Sequence, residues 1–398
     1  MSASVRSTAA APWLPSWLTP ARLVMAAFFI QSAALNSWFP RIPDVQAKLG
    51  IGPAELSIAL LGMSLGGFIT ALLVAKLVER LTARRTILLG FVAYCIAQVL
   101  PGWAWNVPSL FAVLFIMGAT YVVIDLATNV EAARIQDAIG RRIMSTCHGF
   151  WSLGSMLGLV IGSAFAQAAV DVRWHLLIVG AVVMPLGIAT ARALPVFTRE
   201  AETEAEPAPV ISLPSVSMIG LCIFAFGVLL AELTTRNWGA VYLRETIGAS
   251  PAATGVGFAA FSLFMAFGRL FGDRLTDRFG PVTLGRFCSA MAVAGVVILL
   301  AANNVLFAVI AFAALGIGVS VGFPLAVTAA AARGDRSPAR NVAALALVAY
   351  SGSIVGPPLV GFVAESGGLR AGLAAILPLM ILSALFAGSL RRRQTPPP

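Results

Sequence analysis

The sequence is poor in charge, since only 11% of its 398 residues are Asp, Glu, Lys or Arg while 59% are hydrophobic. A water-soluble chain of this size needs about 25% charged residues, and the mean hydropathy of +0.90 places most of this chain in lipid. The net charge of +10 does not indicate a nucleic-acid-binding protein. Its arginines are scattered between apolar runs, without a basic surface interleaved with aromatic residues.

Cysteine and histidine are also scarce, with four and two residues respectively. Cys95, Cys147, Cys222 and Cys288 lie singly inside apolar stretches, which excludes a disulfide framework and close metal-ligand spacing. No nucleophile with a partner base is apparent, so we expect neither an enzyme nor a bound metal or cofactor. The apolar run 23–35 could be a signal-peptide core, but many such runs follow, and we interpret it as a retained span.

Apolar runs of about 20 residues, the length that crosses a bilayer, recur along the whole chain. Bounded by Pro, Gly or charge, they predict twelve membrane helices at residues 21–39, 53–76, 86–104, 108–133, 143–168, 173–194, 216–239, 251–271, 283–301, 305–331, 341–364 and 369–390. Lys and Arg are retained on the cytoplasmic face. With the N-terminus inside, 21 of the 27 basic residues fall on that face, so both termini are predicted to be cytoplasmic.

An internal repeat divides the chain in two. A shift of 198 residues overlays Gly50, Pro53, Ala54, Glu79, Arg80, Gly154, Ser155 and Gly158 on Gly248, Pro251, Ala252, Asp277, Arg278, Gly352, Ser353 and Gly356. Two related halves of six helices place a substrate site at the midplane between them. The predicted organisation is a tail at 1–20, a first half at 21–194, a polar acidic linker at 195–215, a second half at 216–390 and a tail at 391–398.

Charged segments follow the second and eighth spans, at 75–85 and 272–280. They resemble the signature loop of the major facilitator superfamily, Gly-x-x-x-Asp-Arg-x-Gly followed by basic residues, although Ala75 and Thr82 replace glycines in the first copy. The resemblance implies an all-α membrane fold with twelve helices and a charged gate at the cytoplasmic mouth. Anchoring by positive charge with local pairs such as Arg269 with Asp273 is the alternative. The gating candidates are Glu79, Arg80, Arg84, Arg85, Arg269, Asp273, Asp277 and Arg278.

Small residues form a stripe in the fifth span, where Gly154, Gly158 and Gly162 recur every four positions. Gly352, Gly356 and Gly361 form the counterpart in the eleventh span, beside Pro357 and Pro358. Such stripes let helix backbones approach closely. We predict close packing between the halves here, with a kink at the proline pair.

Two carboxylates fall inside predicted spans, where ionisable groups are expensive and functional by default. Asp125 follows a long apolar approach, with Tyr121 and Asn129 one turn to either side on the same face. Burial in hydrocarbon disfavours its charged form, as a proton-coupling site requires. Glu232 is the comparable acid of the second half, and Arg236 four residues on is able to pair with it. Proton coupling at Glu232 and a static ion pair are both open.

Further polar and aromatic residues are candidates for contact with a substrate. They are Asn36, Trp38, Tyr121, Asn129, His148, Trp151, Asn237 and Trp238. The alternative for the tryptophans is anchoring at the membrane interface, and His148 lies near a helix end where solvation is expected. Other ionisable residues near helix ends are interpreted as surface groups, namely Glu131, Asp137, Asp171, His175 and Glu365.

Segments 118–131, 147–152, 232–243 and 268–274 resemble a bacterial branch of the superfamily that is similar to the fucose permease group of sugar:proton symporters. The resemblance implies that Asp125 and Asn129 occupy the positions of a proton-coupling acid and its neighbouring amide. A second essential acid of that group precedes a Pro-x-x-Pro. Here Phe39 precedes Pro40-Arg-Ile-Pro43, so that acid is absent.

The leading hypothesis is a proton-coupled secondary transporter of a small polar organic solute, such as a sugar-like one, working by alternating access. A drug/proton antiporter is the alternative, and a non-transporting membrane sensor is a third hypothesis. The expected partners are the solute, protons and lipids, without nucleic acid. The expected state is a monomer in a bacterial inner membrane.

Overall fold

The computed structural model describes residues 15, 17–141, 143–195 and 213–391, with the backbone alone at 74–80, 145, 338 and 339. The predicted tails and linker therefore lie mostly outside the described residues. Every regular element in the described part is helical. The α-helices are α1 Pro20–Asn36, α2 Ile42–Leu49, α3 Pro53–Leu81, α4 Ala83–Ala97, α5 Val107–Ile139, α6 Met144–Gln167, α7 Val172–Ala193, α8 Ile219–Glu245, α9 Pro251–Phe279, α10 Pro281–Ala301, α11 Val305–Ser320, α12 Gly322–Ala331, α13 Pro338–Ala374 and α14 Leu377–Leu385.

Eleven helical segments in the described part are long and apolar enough to cross a membrane. The last covers 51 residues, Arg340–Leu390, whereas one crossing needs about 20. It contains two crossings, because Gly368 adopts a left-handed φ of 75° inside α13 and interrupts the helix there. The predicted all-α fold with twelve crossings is confirmed. An even number of crossings returns the chain to the end where it began, and we call the opposite end of the bundle the far end.

Several crossings differ from their predicted bounds. The first continues through α2 to Leu49 and the seventh reaches Glu245, so both are longer than the apolar runs that predicted them. The tenth is interrupted between α11 and α12. Pro324 has no N–H for the carbonyl of Ser320 four residues before it, which leaves that carbonyl free to accept from elsewhere.

The repeat is visible in the helices themselves. Helices α3 and α9 both have 29 residues, and they begin at Pro53 and Pro251, which are 198 residues apart. The halves, α1–α7 and α8–α14, meet mainly where α6 packs against α9 and α3 packs against α13. We call the region between these two interfaces, where the two halves face each other, the seam.

The glycine stripe of α6 does not pack between the halves, so that prediction is wrong for it. Side chains at Gly154, Gly158 and Gly162 would collide with carbonyl oxygens of α1 or the residue after it, in the same half. The stripe therefore seats α6 directly on the α1 backbone. Of the counterpart glycines only Gly361 faces the other half, against Ser57 of α3, while Gly352 faces α8.

Candidate functional site

A buried ionic group lies at the seam. The Arg236 guanidinium donates to one oxygen of Glu232 at 3.2 Å, one helical turn away on α8. The other Glu232 oxygen lies 3.6 Å from Arg269 of α9. Glu232 and Arg236 are both buried, whereas the Arg269 side chain is 23% exposed. One carboxylate is thus shared by two guanidinium groups.

Arg236 joins the two halves. Its Nη1 donates to Asn36 Oδ1 of α1 at 2.6 Å and to Ser155 Oγ of α6 at 3.2 Å. The guanidinium also lies over the rings of Trp151 and Phe261, at 5.2 and 5.6 Å from their centroids. A buried arginine is stabilised by such hydrogen bonds and cation–π contacts. Arg236 is therefore a fixed charge that both halves hold.

Asp125 has a different environment on α5. It is half-buried, and its Oδ1 accepts from the amide of Gln31 of α1 at 3.2 Å. Thr128 donates in turn to Gln31 Oε1 at 3.3 Å, while the Asn129 amide donates to the Asp125 backbone carbonyl at 2.8 Å. Among the described ion pairs, none includes Asp125.

Aromatic residues connect the two acids. Trp151 Nε1 donates to the Tyr121 hydroxyl at 2.9 Å, and Tyr121 lies one turn before Asp125. From the second half, Tyr350 interacts electrostatically with Asp125, Glu232 and Arg269. Tyr350 is 49% exposed, so it faces open space and not a packed core. We call this set the central cluster: Asp125, Glu232, Arg236, Arg269, Tyr121, Trp151 and Tyr350.

The predicted substrate residues divide into two groups. Asn36, Tyr121 and Trp151 lie in or against the central cluster, and Asn129 lies beside Asp125. Trp38 and Trp238 are almost fully buried, so interfacial anchoring is wrong for both. Asn237 is buried as well. His148 is exposed as expected and packs edge-on against Phe28.

Sequence reasoning missed Gln31 and the position of Arg269. The pair of Arg236 with Glu232 was one of the two open interpretations, and Arg269 of α9 adds a second guanidinium beside the same carboxylate. Arg269 does not pair with Asp273: its Nε donates to the carbonyl of Ser320 that Pro324 leaves free, at 3.3 Å. The long apolar run that precedes Arg269 in the sequence is the signal that could have placed this residue inside the membrane.

The other gating candidates form no described ion pair across the halves. Asp273, Asp277 and Arg278 are exposed, and Arg278 packs on Phe279. Arg84 donates to the Arg192 carbonyl of its own half, and Arg85 is exposed. The side chains of Glu79 and Arg80 lie outside the described residues. The gate stays a prediction.

The surface expectations were right for three residues and wrong for two. Asp137, Asp171 and Glu365 are exposed, and hydrogen bonds from Arg173 lower the pKa of Asp171. Glu131 and His175 are buried. His175 lies in the first turn of α7, which is already packed against neighbouring helices. Its ring stacks on Phe165 with ring centroids 4.6 Å apart.

Known transport proteins resemble this chain in both sequence and fold. The family model described as Major Facilitator Superfamily matches residues 24–238 and 221–398. An MFS-type transporter of Yersinia pestis is 30% identical over 92% of this chain and 94% of its own length. The transporter y4wD of Sinorhizobium fredii is 29% identical over 89% and 93%. The crystal structure of the nucleoside transporter NupG aligns with a TM-score of 0.73 at 14% identity, covering 94% and 98%.

These findings indicate a multi-pass transport protein and not an enzyme. The likeness to NupG shows the fold alone, because the identity is low. The resemblance to the fucose permease group is not confirmed by these comparisons and stays an expectation.

Proposed function

Since this chain belongs to the Major Facilitator Superfamily, we propose that it is a proton-coupled secondary transporter of a small polar organic solute, working by alternating access at the central cluster. Its place would be a bacterial inner membrane, with both termini cytoplasmic and lipid as its other partner. The observation that carries the proposal is Asp125, a half-buried acid at the seam whose described side-chain hydrogen-bond partner is the neutral Gln31 amide.

The partners of the two acids suggest a division of roles. The Glu232 carboxylate lies between two guanidinium groups, and this geometry supports a fixed, orienting role for it. Asp125 has an amide partner that tolerates either protonation state of the acid. We therefore assign proton binding to Asp125 and orientation of the second half's charges to Glu232.

Alternating access gives the proton site its coupling. Asn36 and Ser155 of the first half hold Arg236 of the second, so rocking of the halves must rearrange the contacts between them. A ligand bound between the halves then has a different affinity for each conformation of the protein. This difference in affinity is what allows the ligand to shift the populations of the conformations. Trp151 donates a hydrogen bond to Tyr121, which lies one turn before Asp125, so a movement of Trp151 changes the surroundings of Asp125.

The test is transport in proteoliposomes. A thermal-shift screen against sugars, nucleosides, organic acids and cationic drugs first selects a ligand. An imposed pH gradient should then drive movement of that ligand, and Asp125→Asn should abolish the gradient-driven part while leaving the folded protein intact. The matched control is Asp137→Asn, an exposed acid on the same helix, which should transport normally. Gradient-driven flux that is unchanged in Asp125→Asn would remove Asp125 from the mechanism.

A drug/proton antiporter is the second candidate, favoured by the aromatic rings of Tyr121, Trp151 and Tyr350 around the acids. An organic cation would compete with the proton for Asp125, supported by cation–π contacts. Stabilisation by cationic drugs and their exchange against protons would favour this candidate over the first.

A further inference from the structure

The charges of the central cluster do not balance when Asp125 is protonated. Arg236 and Arg269 then face a single carboxylate, Glu232, which leaves a net positive charge at the seam. A buried unbalanced charge is costly, and a bound counter-charge relieves it. His148, Tyr121 and Tyr350 are the other titratable side chains near these charges, and none of these residue types ordinarily supplies a negative charge at neutral pH.

The unbalanced charge is located at Arg269. Arg236 is buried and held by Glu232, Asn36 and Ser155, with an aromatic ring on either side. Arg269 is partly exposed, and its terminal nitrogens lie 3.4 Å from Ser152 Oγ and 3.6 Å from Glu232. Charge-assisted hydrogen bonds of arginine are shorter, at about 2.7–2.9 Å. Arg269 is thus loosely held and able to take a better acceptor.

We infer that the transported solute carries an anionic group, of carboxylate type, which Arg269 binds while Asp125 is protonated. This inference rests on the proposed transport function and adds the charge of the substrate. The proton and the anion together leave the charge of the cluster unchanged, so they cross as an electroneutral pair. The aromatic rings of Trp151 and Phe261, which pack on the neighbouring Arg236, suit the remaining, uncharged part of such a solute.

The test uses sets of related probes that are anionic, neutral or cationic at neutral pH. Galacturonate, galactose and galactosamine form one set, and benzoate, benzyl alcohol and benzylamine form another. The anionic member of at least one set should stabilise the purified full-length protein most in a thermal-shift titration. Arg269→Gln should weaken its apparent affinity by about tenfold or more, with Arg269→Lys between the two. Arg274→Gln, an exposed arginine on the same helix, is the control and should bind normally.

Affinity for the anion should also rise as the pH falls through the protonation of Asp125. Asp125→Asn, which fixes the neutral form, should bind the acid without that pH dependence. Stabilisation by galactose or benzyl alcohol instead would overturn the anionic assignment while keeping a polar solute, and stabilisation by the amines would favour the antiporter. An absence of stabilisation by either acid, or equal losses in Arg269→Gln and Arg274→Gln, also overturns it.

A separate observation concerns the far end. The backbone N–H of Ala54, second residue of α3, donates to Glu365 of α13 at 3.1 Å. The N–H of Ala252, second residue of α9, donates to Gln167 of α6 at 3.1 Å. Both donors and both acceptors are 198 residues apart, and each acceptor belongs to the opposite half. Helix N-termini leave such N–H groups unpaired within the helix, so each half completes a helix of the other.

The same exchange occurs one turn deeper. Ser57 of α3 packs on Gly361 of α13, and Ser163 of α6 packs on Gly255 of α9, where any larger residue would collide. These pairs are again related by 198 residues. We propose that the reciprocal caps, Glu365 on Ala54 and Gln167 on Ala252, keep the far end closed and must break for it to open. The Glu365 cap is the stronger, because an anion at a helix N-terminus is favoured.

Spin labels at Trp105→Cys and Asn303→Cys, two exposed far-end positions 198 residues apart, measure this opening. All four native cysteines are buried, so the label reports the added ones. Glu365→Ala should enlarge the population with a long label distance, and Gln167→Ala should do so less. Glu55→Ala is the control, since Glu55 caps Gly52 within its own half. Unchanged distances in both variants, or an equal change in the control, overturn the proposal.

Discussion

The two acids inside the membrane differ in what surrounds them more than in how deep they lie. Glu232 accepts a hydrogen bond from Arg236 and lies 3.6 Å from Arg269, whereas Asp125 accepts from the amide of Gln31. A position deep in the membrane makes a carboxylate a candidate for function, and the side chains around it decide which function it can serve. These partners are the basis for the proposed orienting role of Glu232 and the proposed proton site at Asp125.

The largest expected effect tests how firmly Glu232 is held. Arg236→Ala leaves Glu232 and Asn36 without their principal partner, so the free energy of unfolding should fall by about 3–5 kcal/mol. Reversible unfolding in detergent or lipid measures it. The double variant Arg236→Gln with Glu232→Gln should recover much of the loss, because no charge is then left unpaired. A double variant as unstable as Arg236→Ala would contradict the fixed-charge assignment.

The next prediction separates the acids by transport. Glu232→Gln should raise the apparent affinity for an anionic substrate, since it leaves both arginines without their carboxylate, and the flux should still respond to a pH gradient. Asp125→Asn should lose that response, by about a hundredfold if the proton is transferred to no other group. Uptake with and without the gradient in both variants decides between them. Loss of gradient response in Glu232→Gln would return proton coupling to Glu232.

A smaller effect on substrate affinity is expected from the hydrogen bond to the Ser320 carbonyl that positions Arg269 beside Glu232. Pro324→Ala supplies the N–H that α12 lacks, and this N–H competes with Arg269 for the Ser320 carbonyl. One neutral hydrogen bond is worth about 1 kcal/mol, so we expect a change of severalfold in substrate affinity. Isothermal titration measures it. Pro185→Ala, another proline inside a helix, should leave the affinity unchanged.

The smallest effect is expected for an acid outside the membrane. Ser215, Ser217 and Asn341 donate hydrogen bonds to Asp335 and lower its pKa. Because the folded state depresses this pKa, the stabilisation is present above the unfolded value of about 4 and is lost as the pH falls below it. The group is exposed, so Asp335→Asn should cost below about 1 kcal/mol near pH 7. Unfolding measured at pH 3 and 7 should show a smaller difference between wild type and variant at pH 3, because the stabilisation declines as the pH falls from the unfolded pKa towards the lowered pKa of the folded state.

Much of the architecture could be predicted because lipid imposes a simple rule. Apolar runs of sufficient length must become helices, and the 198-residue repeat pairs them into halves. The bounds were less certain at α2 and α8, where polar residues such as Gln46 and Arg244 continue a helix past its apolar run. Local hydropathy does not record that Gln46 is buried by packing or that Arg244 pairs with Asp44 of α2.

The number of crossings and the candidates Asp125 and Glu232 could be predicted from the sequence because polar groups are costly in hydrocarbon, and the repeat could be predicted from the self-similarity at 198 residues. The packing of the helices was needed to show that Arg269 joins Arg236 at Glu232, that Gln31 meets Asp125, and that each half caps a helix of the other. The physical reason is that these contacts join positions up to 311 residues apart. Their geometry depends on how whole helices cross.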